Sequence, residues 1–116
     1  QENADLGNAA GVALTLHLEG TLCAQTGNFA RATDLYQQAL VIREQLGDEA
    51  GAAKTLNNLG IVARSQGDID TALRYYERSL ALRRRLLDDE MELDELVQPV
   101  EELLLVPRGL LVDPWA

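Results

Sequence analysis

Apolar residues recur along this chain at the three- and four-residue intervals of an α-helix. Leu35, Ala39, Ile42 and Leu46 fall at such intervals, and so do Ala72, Tyr76, Leu80 and Leu86. No alternating run of the strand type occurs. The helical stretches are punctuated by Gly27-Asn28, Gly47-Asp48 and Gly67-Asp68. Gly suits the left-handed position just past a helix end. The Asn or Asp that follows can cap the next helix through its side-chain oxygen. The pattern predicts helices near 9–26, 29–46, 49–66 and 69–87, joined by loops of two or three residues. Loops that short make successive helices antiparallel neighbours.

The same pattern repeats at a spacing of 40 residues. Residues 8–47 laid over 48–87 agree at 12 of 40 positions. The pairs are Ala10/Ala50, Gly11/Gly51, Ala13/Ala53, Thr15/Thr55, Leu16/Leu56, Gly20/Gly60, Gly27/Gly67, Ala32/Ala72, Tyr36/Tyr76, Leu40/Leu80, Arg43/Arg83 and Leu46/Leu86. A fixed period in this range means stacked supersecondary units, each burying its apolar face against a neighbour. Such a stack offers a binding surface rather than a catalytic pocket. Gly20 and Gly60 fall inside predicted helices, where Gly costs roughly 1 kcal/mol relative to Ala. The expected reason is close approach of a unit's two helices, with Ala32 or Ala72 opposite and Tyr36 or Tyr76 filling the wider space one turn on.

The repeat divides the chain. Residues 8–47 are unit one and 48–87 unit two. Residues 1–7 read as the end of a preceding repeat helix, because Asp5-Leu6-Gly7-Asn8 aligns with Gln45-Leu46-Gly47-Asp48. The chain is therefore expected to be a fragment of a longer protein, or one trimmed of upstream repeats. Residues 88–106 read as an acidic, degenerate capping helix or helix pair, and 107–116 as an extended tail. Pro99 stands where Leu59 would repeat, which predicts a short helix near 89–97 and a second begun by Pro99. Glu101 and Glu102 would favour its first turn, and Pro107 would end it.

The ordered set Leu56, Gly60, Gly67, Ala72, Tyr76, Ser79, with Leu16, Gly20, Gly27, Ala32, Tyr36, Ala39 in unit one, resembles the tetratricopeptide repeat pattern. The common unit is about 34 residues. The longer one here, with "TLNNLG", "QGD" and "YYERSLALRRRL", resembles repeats of kinesin light chains, Pins-type spindle adaptors and bacterial regulators. The resemblance covers residues 5–87 and implies an all-α solenoid of antiparallel helix pairs. It also implies a concave groove lined by each unit's first helix. In unit two that face would carry Lys54, Asn57, Ile61, Arg64 and Ser65, with Asn58 beside them. In unit one it would carry Leu14, His17, Thr21, Ala24 and Gln25, with Leu18 as a further apolar contact. In the families resembled, groove Lys and Asn bind acidic or C-terminal peptide groups. Asn57 is the leading candidate, since an amide both donates and accepts; Lys54 and Arg64 could hold a carboxylate. The plainer alternative is that these are solvated polar residues. Unit one departs from the pattern, with Glu19 in place of Leu59 and His17-Leu18 in place of Asn57-Asn58.

Composition narrows the picture. The net charge of −9 is uneven: residues 1–87 hold 9 Lys+Arg against 10 Asp+Glu, and residues 88–116 hold 1 against 9. A near-neutral body with an acidic tail argues against nucleic acid and anionic membrane as partners. No apolar run nears the ~18 residues of a membrane span, and no signal segment is evident. Cys23 is the sole cysteine, which favours a reducing, cytoplasmic setting. It reads as a small buried hydrophobe rather than a nucleophile. His17, the sole histidine, reads as a surface or groove residue; without partners at ligand spacing it is a poor metal site. No phosphate loop, nucleophile elbow or zinc motif occurs, so neither a cofactor nor an enzymatic activity is expected.

Arg74, Arg78, Arg83, Arg84 and Arg85 form a basic helix face that is either solvated or paired with the acidic run from Asp88 to Glu95. Leu103, Leu104, Leu105, Val106, Leu110, Leu111 and Trp115 are too apolar to remain together in water. They would cap the last repeat or pack on a second chain. Two units are fewer than the ~3 a stable stack usually needs. The leading expectation is a protein-interaction module that binds a partner's peptide or helix in its groove. The second is a homodimer built from open repeat ends and the apolar tail.

Overall fold

The computed structural model describes residues 2–89, with side chains from residue 6 onward. It holds α1 (Glu2–Gln25), α2 (Phe29–Gln45), α3 (Glu49–Ser65) and a fourth helix, α4, over residues 69–89. No strand occurs among the described residues. The fold is all-α, as two antiparallel helix pairs.

One turn is used three times. Gly27, Gly47 and Gly67 have φ of 84°, 72° and 85°. The residue after each Gly donates its N–H to a carbonyl five residues back: Asn28 to Cys23 at 2.8 Å, Asp48 to Arg43 at 2.9 Å and Asp68 to Ala63 at 2.9 Å. Each Gly N–H bonds the carbonyl three residues back, at Ala24, Glu44 and Arg64. This double closure satisfies carbonyls that a helix end would leave bare. The same Asn or Asp then starts the next helix. Asn28, Asp48 and Asp68 accept from the backbone N–H of Arg31, Gly51 and Thr71. For Asp68 the side-chain and backbone hydrogen bonds of Thr71 hold the carboxyl below its ordinary range.

Two boundaries differ from the sequence reading. Gly7-Asn8 makes no turn: α1 runs unbroken from Glu2, and Gly7 is not among the positive-φ glycines. An interior Gly costs only about 1 kcal/mol, and continuing the helix keeps the backbone of residues 2–9 hydrogen-bonded. At the other end α4 runs past the expected stop at residue 87. Leu87 holds the position of Gly47 and Gly67, and a left-handed Leu would cost about 1–2 kcal/mol. The helix expected from residue 89, the one begun by Pro99, and Leu103, Leu104, Leu105, Val106, Leu110, Leu111 and Trp115 lie outside the described residues.

Residues up to Arg84 form one compact unit. Its core joins both helix pairs: Ala32, Tyr36 and Leu40 from α2 meet Ala52, Leu56, Leu59 and Val62 from α3. Cys23 is half-buried against this cluster. The interior glycines face the tyrosines themselves, not the expected alanines. A Cβ at Gly20 would lie 2.9 Å from the Tyr36 ring, and one at Gly60 would lie 2.6 Å from that of Tyr76. The ring of one helix thus occupies the volume that Gly vacates on the other. Ser79 ties α4 to α3 by donating to the carbonyl of buried Ala53 at 2.8 Å. On the outer side Gln37 donates to Tyr75 Oη and Arg78 pairs with Glu44 at 3.3 Å.

Candidate functional site

The first helices of the two pairs, α1 and α3, flank an open cleft of about 270 Å³. Thr21, Ala24 and Gln25 line it from α1, Phe29 and Tyr36 from α2, and Asn58, Ile61, Val62 and Ser65 from α3. The floor is apolar, made by Phe29, Tyr36 and Val62. The rim is polar, made by Thr21, Gln25, Asn58 and Ser65. Helical spacing extends the two walls. Leu14, Leu18, Thr21 and Gln25 share one face of α1, and their repeat equivalents Lys54, Asn58, Ile61 and Ser65 share the matching face of α3. Leu14 and Leu18 are half exposed, and Lys54 is exposed. The α1 wall is apolar above the cleft, and the α3 wall carries a cation. Lys54 forms no salt bridge among the described residues.

The expected residues separate into three groups. Thr21, Asn58 and Ile61 line the cleft, and Leu14, Leu18 and Lys54 continue its walls. Asn57 does not line it. It lies one residue round the helix, in a smaller hollow with Tyr76, Ser79, Leu80 and Arg83. Arg64 is exposed and also outside the cleft. At i and i+7, Asn57 and Arg64 share a face displaced from the Asn58 stripe. His17, expected at the surface or in the groove, is buried, with only 6% of its surface exposed.

His17 instead anchors the seam between the two pairs. Thr55, fully buried, donates its hydroxyl to the Gly51 carbonyl at 3.0 Å and accepts from Arg43 Nη1 at 2.9 Å. His17 Nδ1 lies 3.2 Å from Thr55 Oγ1 and 3.3 Å from Arg43 Nη1; with the Thr55 hydroxyl proton and both Nη1 protons committed to Gly51 and Thr55, the ring proton falls on Nδ1 and points at Thr55 Oγ1. His17 Nε2 then accepts from Asn58 Nδ2 at 3.1 Å. Arg43 also donates to the Gly51 carbonyl at 3.1 Å and lies 4.0 Å from the Asp48 carboxylate. Burial, followed by the Arg43 and Lys54 charges, lowers the His17 pKa from its ordinary value and keeps the ring neutral. Beneath the cleft the His17 ring stands 5.2 Å from that of Tyr36, whose hydroxyl is 2.8 Å from Thr21 Oγ1. Asn58 therefore belongs to both structures. Its Nδ2 is spent on the seam, while its half-buried side chain lines the cleft. Sequence reasoning missed the seam, although Arg43, Gly51 and Thr55 are each identical to their repeat partner.

Stacked antiparallel pairs with a cleft between their first helices define a helical-repeat protein of the solenoid class. The tetratricopeptide repeat family model matches residues 6–85, and the chain belongs to that family. No curated protein matches the chain. Tetratricopeptide repeats mediate protein–protein interaction. Among the described residues no helix is long and apolar enough to cross a membrane.

Proposed function

We propose that this chain is a non-catalytic interaction module that takes a segment of a partner protein into the cleft between α1 and α3. The cleft itself carries the reading: about 270 Å³, open, apolar at its floor and ringed by side chains that donate and accept. An apolar side chain of the partner would seat over Phe29, Tyr36 and Val62. The partner's backbone would meet the rim. Asn58 is the best-placed group there, because the seam uses its Nδ2 and leaves Oδ1 to accept a backbone N–H. Lys54, one turn along the same wall, would favour a carboxylate on the partner. Leu14 and Leu18 offer apolar contact on the opposite wall. The partner segment is therefore apolar with an acidic end.

A peptide library displayed on phage and selected against the purified chain tests this, followed by titration of an enriched peptide by fluorescence anisotropy. Ile61→Glu should weaken binding at least tenfold, about 1.4 kcal/mol, and Asn58→Ala severalfold. Arg31→Ala, exposed on α2, should change nothing. Failure to enrich any peptide, or equal loss at Arg31 and Ile61, contradicts the reading.

A further inference from the structure

The seam between the two helix pairs has two halves, and the described body carries each half a second time on an open face. One half is presented by unit one: Tyr36, Leu40 and Arg43, with His17. Its counterpart on unit two is Tyr76, Leu80 and Arg83, with Asn57, and these residues border the hollow of about 190 Å³ beside α4. The other half is presented by α3: Gly51, Thr55 and Leu56. Its counterpart on α1 is Gly11, Thr15 and Leu16, which border a shallow depression of about 560 Å³. Every residue named here except His17/Asn57 is identical to its repeat partner.

Burial marks what each open half lacks. Leu40 is 6% exposed and its counterpart Leu80 is 64% exposed. Arg43 is buried and Arg83 exposed; Thr55 is fully buried and Thr15 exposed. These exposed groups are the residue types that bond one another inside the molecule, at the same register.

We propose that a second copy of this chain docks head-to-tail on the first, its α1 face meeting the α3–α4 face through a replica of the internal seam. In the replica Arg83 of one copy donates to the Gly11 carbonyl and the Thr15 hydroxyl of the next, and Leu80 is covered by Leu16. The replica is weaker than the original. Glu19 takes the place of Leu59, which is 1% exposed in the internal core, and Asn57 replaces the His17 ring. Association is therefore reversible and concentration-dependent. The two faces differ, so the contact is heterologous and each added copy leaves one free face at either end. This inference is independent of the cleft, and either can fail without the other.

The test is light scattering behind size exclusion across a dilution series of the intact chain and two face variants. Leu80→Glu blocks the α4 face at an already exposed position. Gly11→Leu blocks the α1 face. A Cβ at Gly11 meets nothing within 4 Å, whereas one at the equivalent Gly51 lies 2.9 Å from Arg43 Cδ across the internal seam. Far-UV circular dichroism verifies that both variants fold. The wild-type mass should rise above 12.7 kDa with concentration and continue past twice that value. Each variant alone should remain a monomer. An equimolar mixture should form a dimer, since one variant keeps its α4 face and the other its α1 face. A wild type that stays monomeric at millimolar concentration overturns the proposal. So does a dimer that both variants abolish and mixing fails to restore, which would be a symmetric contact.

Discussion

Thr55 and Thr15 occupy the same register in the two repeats, and one substitution at each separates a buried seam from its exposed copy. Thr55→Val preserves side-chain shape and β-branching, so helix propensity barely changes. It removes the oxygen that accepts from both Arg43 Nη1 and His17 Nδ1, and the hydroxyl that donates to Gly51. The guanidinium keeps its bond to the Gly51 carbonyl and its 3.3 Å approach to His17 Nδ1, but the Nη1 and Nδ1 atoms lose the oxygen they share in a buried site. Stranding one buried polar partner costs about 1–3 kcal/mol, and more beside a charge. We expect Thr55→Val to lose about 2–3 kcal/mol, within the range for a broken buried network. For a body of this size that lowers Tm by about 8–24 °C. Thr15→Val, at an exposed site, should stay within about 0.5 kcal/mol of wild type. The assay is paired urea and thermal unfolding followed by circular dichroism, at a concentration where the chain is monomeric. If Thr55→Val unfolds within about 0.5 kcal/mol of wild type, or the two variants lose equally, the Thr55 hydrogen bonds do not hold the pairs together.

Other substitutions reach different parts of the packing. Gly60→Ala should destabilise by about 1–2 kcal/mol in urea unfolding, since the new methyl meets the Tyr76 ring at 2.6 Å and this outweighs the helix propensity gained. Gly11→Ala, with open space around it, should instead stabilise by about 0.5–1 kcal/mol. The His17 pKa is lowered in the folded chain, so its contribution is fully present above about pH 6.5, the unfolded value. As pH falls below that, the unfolded chain binds a proton the folded chain refuses, and stability drops until the folded ring titrates too. Urea midpoints measured from pH 7.5 to 5.5 should show this decline, and His17→Asn should flatten it.

Periodicity was enough for the helices and the repeat, because Gly-Asn and Gly-Asp turns act locally and recur three times. The ends of α1 and α4 escaped the same logic for local reasons. Gly7 is tolerated inside a helix, and Leu87 cannot take the left-handed φ that Gly47 and Gly67 adopt. The cleft was legible as a face of each first helix but not to single-residue precision. Asn57 and Asn58 differ by 100° around the helix, and only packing against α4 shows that Asn57 turns away. The seam was hidden for another reason. His17, Arg43 and Thr55 are polar residues that single positions would place at the surface, and they are buried by contacts 12 to 41 residues apart along the chain, which hydrophobic spacing does not report. The identity of Arg43 with Arg83 and of Thr55 with Thr15 was the available signal. A polar residue repeated at fixed register in a stack is a candidate for the joint between units.

The most direct measurement for the proposed function is a titration of isotope-labelled chain with a selected peptide, followed by amide and side-chain NMR shifts. Perturbations should concentrate on Thr21, Gln25, Asn58, Ile61 and Ser65, with the Asn58 side-chain amide among the largest. Shifts centred instead on the outer faces of α2 and α4, around Gln37, Glu77 and Arg78, would contradict the proposed function.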